Sequence, residues 1–449
     1  MILTLTSLLA LSHAAPGEPF QVKTWETRGP LLEPWRVIET GPHAGAWVVA
    51  GDLTGDGRAE IVAARNDNQA VTAAAAYNLE GEELWTWGQA GAGRPNWTYD
   101  VPLQLYDLNG DGRDEVFLST PGYLVVLNGA TGHELRRHPL PDGLEVADCI
   151  TFADLTGVGR PTDIIVKTRY TKVWAFDRSW GPLWSWTPPE GYKTIHHPEP
   201  MDLDGDGRDE VLVGYTLLGP DGDERWTYTT EATDLRRGHL DCAELIHPGF
   251  GSAGHKAEHA RIAITCCGAN LVAVLNGRGE AVWEVAGAHY ESVDAGPIAM
   301  AAPMRNPYQV VVDIDHVPWG EAEVRMFSAD GSLAGTYLVN YGRHHRVIDW
   351  NGDGLMEVLL ANARGIYDGD GQCLATFSPG SAHGDHFERV EHSEEAGRNS
   401  GPYAFVGDMD GDGVNDAVLY TQDGVWIYRS ETAGTRDHRL GTGVNWTLY

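Results

Sequence analysis

Short apolar runs alternate along the chain with acidic turns that contain glycine. Each acidic turn follows a few apolar residues and precedes a second apolar run, such as Ile61–Val62 or Val211–Val213. This order predicts two antiparallel strands joined by a tight Asp-Gly turn. Six copies of the turn occur, the third of them decayed: Asp52–Glu60, Asp107–Glu115, Asp154–Arg160, Asp202–Glu210, Asp349–Glu357 and Asp408–Asp416.

A second kind of turn, in which Leu or Trp follows a glycine, comes after most of the acidic turns. Examples are Gly81–Trp85, Gly181–Trp184 and Gly279–Trp283. This turn predicts a further hairpin, so that each repeat supplies four short strands. Four strands in a repeat of roughly 40–60 residues are typical of a β-propeller blade.

The spacing of the acidic turns gives the number of blades. The first four begin 55, 47 and 48 residues apart, whereas 147 residues separate Asp202 from Asp349. The long gap accommodates two degenerate blades, whose innermost strands we place near Asp241–Ile246 and Pro297–Ala302. The sequence therefore predicts an all-β fold, an eight-bladed β-propeller with acidic calcium-binding turns. A seven-bladed propeller is the alternative, if one degenerate stretch is an insertion.

Composition and charge restrict the partners. The 449 residues are 42% hydrophobic, enough for a large core, and their net charge is −32. Nucleic acid and anionic membrane surfaces both attract basic segments, so we expect no nucleic-acid partner and no membrane partner. We expect the protein to be a monomer.

The N-terminus has the pattern of a signal peptide. An apolar run over residues 2–12 precedes Ala14 and Ala15 and is too short to span a bilayer. We predict a signal peptide over 1–15, a single β-propeller domain over 16–449 and a secreted, extracellular protein. A buried first strand is the alternative for the apolar run. The sequons at Asn96 and Asn445 would make the secreted protein a glycoprotein.

The five cysteines form no Cys-x-x-Cys motif, which argues against a zinc ribbon or a thioredoxin-type site. One or two disulfides are expected in an oxidising compartment. We favour a bond from Cys242 to Cys266 or Cys267.

The acidic turns bring several oxygen atoms to one point, and Ca²⁺ binds six to eight oxygens in flexible geometry. An EF-hand is excluded because position 12 is apolar, as at Leu118 and Val213, and because a strand follows. The alternative is that these Asp-Gly turns need no metal. The predicted Ca²⁺ ligands are Asp52, Thr54, Asp56, Glu60, Asp107, Asn109, Asp111, Glu115, Asp202, Asp204, Asp206, Glu210, Asp349, Asn351, Asp353, Glu357, Asp408, Asp410, Asp412 and Asp416.

All acidic turns should lie on one face of the propeller, because each joins the first strand of a blade to the second. The opposite face, here called the working face, is formed by the loops that enter the first strands and by those between second and third strands. Most histidines fall in these loops together with Arg, Lys and Tyr, which favours an anionic substrate on this acidic chain. Ordinary surface polarity is the alternative. The residues concerned include Lys167, Arg169, Tyr170, Tyr192, Lys193, His196, His197, Arg237, His239, Asp241, His289, Tyr290, His316, Trp319, Arg343, His344, His345, His383 and His386.

Four segments resemble a known family. They are Asp163-Ile-Ile-Val-Lys-Thr-Arg-Tyr170, His196-His-Pro198, Gly238-His-Leu-Asp241 and the closing Asn445-Trp-Thr-Leu-Tyr449. Together with the acidic repeats of the FG-GAP type, they resemble the rhamnogalacturonan lyases of polysaccharide lyase family 11 and the related propeller lyases that act on rhamnose–glucuronate bonds. The resemblance implies a lyase that breaks a bond from L-rhamnose to O4 of a uronic acid. Its partner would be an acidic polysaccharide or oligosaccharide.

Such a reaction removes the proton at C5 of the uronate and expels the substituent at O4. A cation must neutralise the carboxylate, and a base that is neutral near pH 7 must take the proton. We predict His197 or His239 as the base, Arg343, Arg237 or Lys167 as the carboxylate partner, and Tyr192 or Tyr290 as the acid. Because neighbouring residues of a strand point to opposite sides, only one of His196 and His197 should face the site.

The remaining predicted contacts are to the substrate: His196, Arg169, Arg237, Asp241, His289, Tyr290, His316, Trp319 and His344. Asp241 would orient His239 or bind a Ca²⁺ shared with the substrate. The alternative function is a non-catalytic propeller that binds carbohydrate or mediates adhesion.

Overall fold

A computed structural model of the chain describes residues 19–44, 47–67, 70–92, 102–247, 257–298, 308–314, 322–339, 345–380, 402–421 and 423–430. The predicted signal peptide, Asn96, Asn445 and the closing segment lie outside these residues. Within them the chain forms eight sheets of an eight-bladed β-propeller, which confirms the predicted fold and excludes seven blades. Within the same residues, no helix has the length and apolar character needed to cross a membrane.

Three short strands begin the described chain and belong to blades formed much later in the sequence. They are β1 (Phe20–Lys23), β2 (Leu31–Leu32) and β3 (Arg36–Glu39). A 3-10 turn at Thr24–Glu26 separates the first two.

Blades 1 to 4 each have four antiparallel strands that follow one another from the innermost to the outermost. Blade 1 contains β4 (Trp47–Gly51), β5 (Glu60–Asp67), β6 (Ala70–Tyr77) and β7 (Glu83–Gly88). Blade 2 contains β8 (Leu103–Tyr106), β9 (Glu115–Thr120), β10 (Tyr123–Leu127) and β11 (Glu134–Pro139). Blade 3 contains β12 (Cys149–Ala153), β13 (Asp163–Thr168), β14 (Lys172–Phe176) and β15 (Pro182–Trp186). Blade 4 contains β16 (Glu199–Met201), β17 (Glu210–Leu212), β18 (Thr216–Leu218) and β19 (Glu224–Thr227).

The other four blades complete the ring. Blade 5 contains β20 (His239–His247), β21 (Arg261–Cys267), β22 (Leu271–Leu275) and β23 (Ala281–Ala286). Blade 6 contains β24 (Tyr290–Gly296), β25 (Gln309–Ile314), β26 (Ala322–Ser328) and β27 (Leu333–Val339). Blade 7 contains β28 (His345–Ile348), β29 (Glu357–Leu360), β30 (Gly365–Tyr367) and β31 (Cys373–Phe377), and blade 8 contains β32 (Tyr403–Gly407), β33 (Asp416–Tyr420) and β34 (Gly424–Tyr428). Further 3-10 turns lie at Pro141–Gly143, Leu235–Arg237 and Ala257–His259.

The N-terminal strands close the ring. β3 pairs antiparallel with β34 and supplies the fourth strand of blade 8. β1 and β2 add parallel fifth strands to the outer edges of blades 6 and 7. Residues 20–39, which we call the N-terminal strap, therefore run along three consecutive blades.

The two degenerate blades test the predicted strand positions. β20 covers the predicted Asp241–Ile246, whereas the innermost strand of blade 6 is β24, which ends at Gly296, just before the predicted Pro297–Ala302. Residues 299–302 of that prediction lie outside the described residues. The prediction was wrong because β24 carries buried polar side chains, Glu291 and Asp294, which interrupt the apolar pattern that marks such a strand.

The turns in which Leu or Trp follows a glycine contribute to the contacts between neighbouring blades. Trp85, on the outermost strand of blade 1, donates a hydrogen bond from Nε1 to the carbonyl oxygen of Gly129 in blade 2 at 2.6 Å. The same indole packs on Gly132, where an added Cβ would lie 2.6 Å from the ring. Trp184 and Trp226 make the same contacts with the blades that follow them.

The predicted disulfide is wrong. All five cysteines are free and buried. Cys242 packs between blades 5 and 6, whereas Cys266 packs on the other side of blade 5, against blade 4. Cys267 contacts His289, and its Sγ lies 3.0 Å from Nε2 of that residue.

Candidate functional site

The acidic turns join first to second strands in blades 1 to 4, 7 and 8, so they share one face. On the opposite, working face, His196 and His197 precede β16, and His239 opens β20. His289 precedes β24, and Tyr170 lies in the turn between β13 and β14. Loops of four consecutive blades, 3 to 6, thus carry the side chains of the candidate site.

Two histidines and one aspartate meet at the entry to blades 4 and 5, and we call them the His/Asp cluster. Nε2 of His239 lies 2.8 Å from Nε2 of His196 and 3.0 Å from Oδ1 of Asp241. The same carboxylate oxygen is 3.1 Å from Nε2 of His196. All three side chains are buried, so the cluster is held rigidly by the packing of the two blades.

Tyr170 lies beside the His/Asp cluster. Its hydroxyl is 3.5 Å from Nε2 of His239, and the two ring centroids are 4.5 Å apart. Arg169 donates a hydrogen bond to the phenolic oxygen at 2.7 Å, and Nζ of Lys193 lies 5.1 Å from the centre of the ring. The backbone of Tyr170 has a φ of +73°, an unusual conformation for a bulky residue. One half-buried phenol is thereby placed among two cations and an imidazole.

A second group of side chains, the Cys/His/Glu cluster, lies between blades 5 and 6. Nε2 of His289 is 3.0 Å from Sγ of Cys267 and 2.9 Å from Oε1 of Glu291. Cys267 lies opposite His239 in the pairing of β20 with β21, which joins the two clusters.

Burial sets the protonation of the cluster. It lowers the pKa of His239 below the ordinary value, although the hydrogen bond to Asp241 opposes this shift. The His239 imidazole is therefore mostly neutral at pH 7. Burial also acts to raise the pKa of Asp241, but the neighbouring Glu291 and the charge of His196 hold that pKa well below the ordinary range. Asp241 is thus ionised.

His197 and Lys167 lie on the other side of blade 4. Nδ1 of His197 is 3.7 Å from Sγ of Cys149, and Lys167, which is fully buried, donates to Asp148 at 2.8 Å. His196 and His197 therefore point to different blades, as expected for neighbouring residues of an extended segment. Lys167 already has a carboxylate partner within the protein.

The remaining predicted residues are placed differently. Tyr192 packs against Tyr215, with ring centroids 6.1 Å apart, and Arg237 is exposed. Tyr290 is 1% exposed in the core between blades 5 and 6, so its hydroxyl does not face a substrate. Arg343, His344, His316, Trp319, His383 and His386 lie outside the described residues.

Two residues of the site were missed from the sequence, Cys267 and Glu291. Cys267 pairs with His239 across β20 and β21, and Glu291 follows His289 by two positions. The alternation of side chains along a strand could have indicated Glu291, but only the strand register brings Cys267 to the site.

In the acidic turns, carboxylates accept hydrogen bonds from backbone N–H groups of the same turn. Asp52 accepts hydrogen bonds from the N–H groups of Gly55 and Gly57 at 2.6 and 2.8 Å. Glu60 accepts from those of Leu53 and Thr54 at 2.8 and 3.2 Å. The first aspartate of the other turns is bonded in a similar way, namely Asp107, Asp154, Asp202, Asp349 and Asp408.

Carboxylate oxygens also approach one another in these turns. Ligand atoms of Asp202, Asp204 and Asp206 lie within 4.8 Å of one another, and the same holds for Asp408, Asp410 and Asp416. Such oxygen-only groups fit Ca²⁺. In the last turn Arg429 already pairs with Asp410 at 2.9 Å, which supplies part of the positive charge.

The His/Asp cluster offers a different donor set. Three ligands that share one first-row metal ion at about 2.1 Å lie roughly 3 to 3.4 Å apart. The separations of 2.8 to 3.1 Å among His196, His239 and Asp241 are close to this range. Two imidazoles and one carboxylate favour a transition-metal ion over Ca²⁺.

Comparisons with known proteins support the resemblance seen in the sequence. No protein-family model matches the chain. The rhamnogalacturonan endolyase YesW of Bacillus subtilis (strain 168) is 24% identical over 473 aligned positions, which cover 89% of this chain and 69% of that relative. The crystal structure of YesW superposes with a TM-score of 0.61 and 19% identity, covering 90% of this chain and 75% of its own.

Two further solved structures share the fold. The Bacillus licheniformis rhamnogalacturonan lyase also has a TM-score of 0.61 at 19% identity and covers 91% of this chain and 76% of its own. The V. cholerae biofilm matrix protein Bap1 has a TM-score of 0.58 at 14% identity and covers 94% of each chain. In sequence and in fold the chain is similar to rhamnogalacturonan lyases, and this similarity supports a polysaccharide lyase.

Proposed function

We propose that the protein is a secreted lyase that cleaves L-rhamnose-(1→4)-uronic acid bonds by β-elimination. The observation that carries this proposal is Tyr170, whose phenol lies between His239 and the cations Arg169 and Lys193. The substrate is an acidic glycan, either rhamnogalacturonan or a rhamnose–glucuronate polymer. The predicted leader over residues 1–15 supports secretion.

The two cations bind the uronate carboxylate. Arg169 and Lys193 approach the Tyr170 ring closely, so a carboxylate that pairs with them places its sugar ring next to the phenol. Neutralising the carboxylate makes the C5 proton more acidic and stabilises the enolate-like transition state.

Tyr170 and His239 move the protons. The neutral His239 imidazole carries its proton on Nδ1, so that Nε2, 3.5 Å from the hydroxyl of Tyr170, can accept a proton. The phenolic oxygen accepts the C5 proton while the phenol passes its own proton to this Nε2. The C5–H electron pair forms the C4–C5 double bond, the C4–O4 bond breaks, and O4 takes a proton back from this pair. Asp241, ionised and 3.0 Å from His239, stabilises the imidazolium that forms in between.

This mechanism changes the role predicted for His239. The residue is only 7% exposed and its ring packs against that of Tyr170, so Tyr170 is the group that contacts the substrate. His239 acts through Tyr170.

Replacing Tyr170 by Phe tests the proposal. The phenol is lost while the ring remains, so we expect the rate of unsaturated product formation to fall by about 10² to 10⁴ with an unchanged melting temperature. The assay follows absorbance of the unsaturated uronate on rhamnogalacturonan, ulvan and gum arabic. The matched control is Tyr123→Phe, since Tyr123 is an exposed tyrosine with Arg137 5.1 Å from its ring.

A second candidate function is a non-catalytic propeller that binds carbohydrate or mediates adhesion. The observation in its favour is that Bap1, a biofilm matrix protein, matches the fold over 94% of both chains. Binding of these polymers by the wild-type protein without any unsaturated product would establish this alternative and remove the lyase.

We also propose that Ca²⁺ occupies the acidic turns, with the twenty ligands predicted from the sequence. The close carboxylates of the Asp202 and Asp408 turns support this assignment. The ion would have a structural role, because the turns lie on the face opposite to Tyr170.

A further inference from the structure

A groove of about 430 Å³ runs along the outer half of blade 3, next to blade 2. Asp142 and Lys172 line its end at the working face, and Trp174, Phe176 and Leu183 line its length. We propose that this groove is a second subsite, which binds a uronate-containing stretch of the polymer a few sugars away from the bond that is cleaved. The inference rests on the proposed function, since it concerns the same acidic glycan.

The groove has the chemistry that an acidic sugar needs. Nζ of Lys172 lies 5.0 Å from the centre of the Trp174 ring, and its side chain is 31% exposed. A uronate carboxylate can therefore reach the ammonium group while an apolar face of the sugar packs on the aromatic wall. Phe176 stacks on Trp180 with ring centroids 4.0 Å apart, which keeps this wall rigid.

Lys172 is held by an internal carboxylate until a ligand takes its place. Its ammonium group donates to Oδ2 of Asp142 at 2.7 Å, and this bond lowers the pKa of Asp142. Asp142 is exposed, and an exposed ion pair contributes little stability, so a sugar carboxylate can displace it at small cost.

The groove and the candidate site share the hairpin of β13 and β14. Lys172 follows Tyr170 by two positions, so their Cα atoms are at most about 7 Å apart. Arg169 and Lys193 approach the ring of Tyr170, and Lys172 lies two positions further on, so three cations surround this turn. On a chain with 64 acidic and 32 basic residues, such a group attracts a polyanion locally.

Left-handed backbone conformations occur at both Tyr170 and Asp142. Tyr170 has a φ of +73°, which is costly for a bulky residue, whereas Asp142 has a φ of +54°, which aspartate adopts more readily. Strained residues of this kind cluster at ligand-binding sites, where the surrounding structure holds them in place. Both lie in loops on the working face.

The test measures binding of polymeric rhamnogalacturonan to the full chain by affinity electrophoresis, in a Tyr170→Phe background so that the polymer stays intact. Lys172→Ala loses one charged contact, so we expect it to bind the polymer about three- to tenfold more weakly. Lys172→Arg keeps the positive charge and should restore binding of the polymer. Asp142→Ala should leave binding unchanged or tighter, because it frees the lysine. Lys23→Ala is the matched control, since Lys23 forms a similar exposed pair with Glu26 on blade 6.

The outcomes separate this inference from the proposed function. Weaker polymer binding in Lys172→Ala, with unchanged binding of a tetrasaccharide, supports the subsite. Equal polymer binding in Lys172→Ala and the control overturns it, even if the wild-type protein is a lyase. Parallel losses in Lys172→Ala and Asp142→Ala would show that only the ion pair between them matters, which also overturns it. Absence of unsaturated product from the wild type rejects the lyase alone, because the binding assay does not depend on turnover.

Discussion

The two faces of the propeller differ in how far apart in the sequence the contacting residues lie. On the acidic face, the aspartates that open the turns accept hydrogen bonds from N–H groups only three to five residues away. On the working face, His239 contacts Asp241 two residues away, but its other partners, His196 and Tyr170, are 43 and 69 residues away. Local, repeated contacts thus define the blades, whereas contacts between unlike loops of different blades create the candidate chemistry.

This difference predicts that changes on the two faces have separate effects. Loss of a side chain from the working face should stop turnover and leave folding intact. Loss of a side chain or an ion from the acidic face should lower stability and leave turnover intact.

Replacing His239 by Ala should have the largest effect on the working face. The proton acceptor next to Tyr170 is removed, so we expect the initial rate of unsaturated product formation to fall by about 10² to 10⁴. Circular dichroism should show the wild-type fold. A loss of less than about twofold would remove His239 from the mechanism.

Chelation should have the next largest effect, and it acts on the acidic face. A single bound ion at a hundredfold excess over its Kd stabilises the folded state by about 2.7 kcal/mol, and several turns contribute. We expect the melting temperature in EDTA to lie well below that in millimolar Ca²⁺. Equal melting temperatures in the two solutions would show that the turns need no metal.

A substitution in a single acidic turn should have the smallest effect, and it should act on stability. Asp202 accepts hydrogen bonds from the N–H groups of Gly205 and Gly207. Replacing Asp202 by Ala should therefore lower the free energy of unfolding by about 1–3 kcal/mol. Denaturant unfolding measures this cost, and turnover should be unchanged. Asp223→Ala is the control, because it removes the same charge from an exposed position of blade 4. A variant of Asp202 that is stable but inactive would reverse the assignment of the two faces.

The sequence predicted the repeating blades well, and it predicted the contacts between different blades less well. The acidic turns identified six blades directly, and the gap after Asp202 correctly predicted two more. The innermost strand of blade 6 was misplaced because Glu291 and Asp294 break its apolar pattern.

The candidate site depends on register and packing, which a single sequence does not show. His196, His239 and Asp241 were placed on the working face from loop order alone, and the structure brings them together. Their junction with Glu291 and Cys267 depends on the pairing of β20 with β21 and on the contact between blades 5 and 6. Tyr290 was assigned as an acid from its position beside His289, but its ring points into the core.

The N-terminal strap has a consequence for synthesis of the chain on the ribosome. β3 leaves the ribosome early, yet its partner β34 lies roughly 390 residues later in the sequence. At about 5 to 20 residues per second, β3 waits some 20 to 80 s before it can pair. β3 is therefore made long before it can be incorporated, and its edges stay unpaired until translation is almost complete.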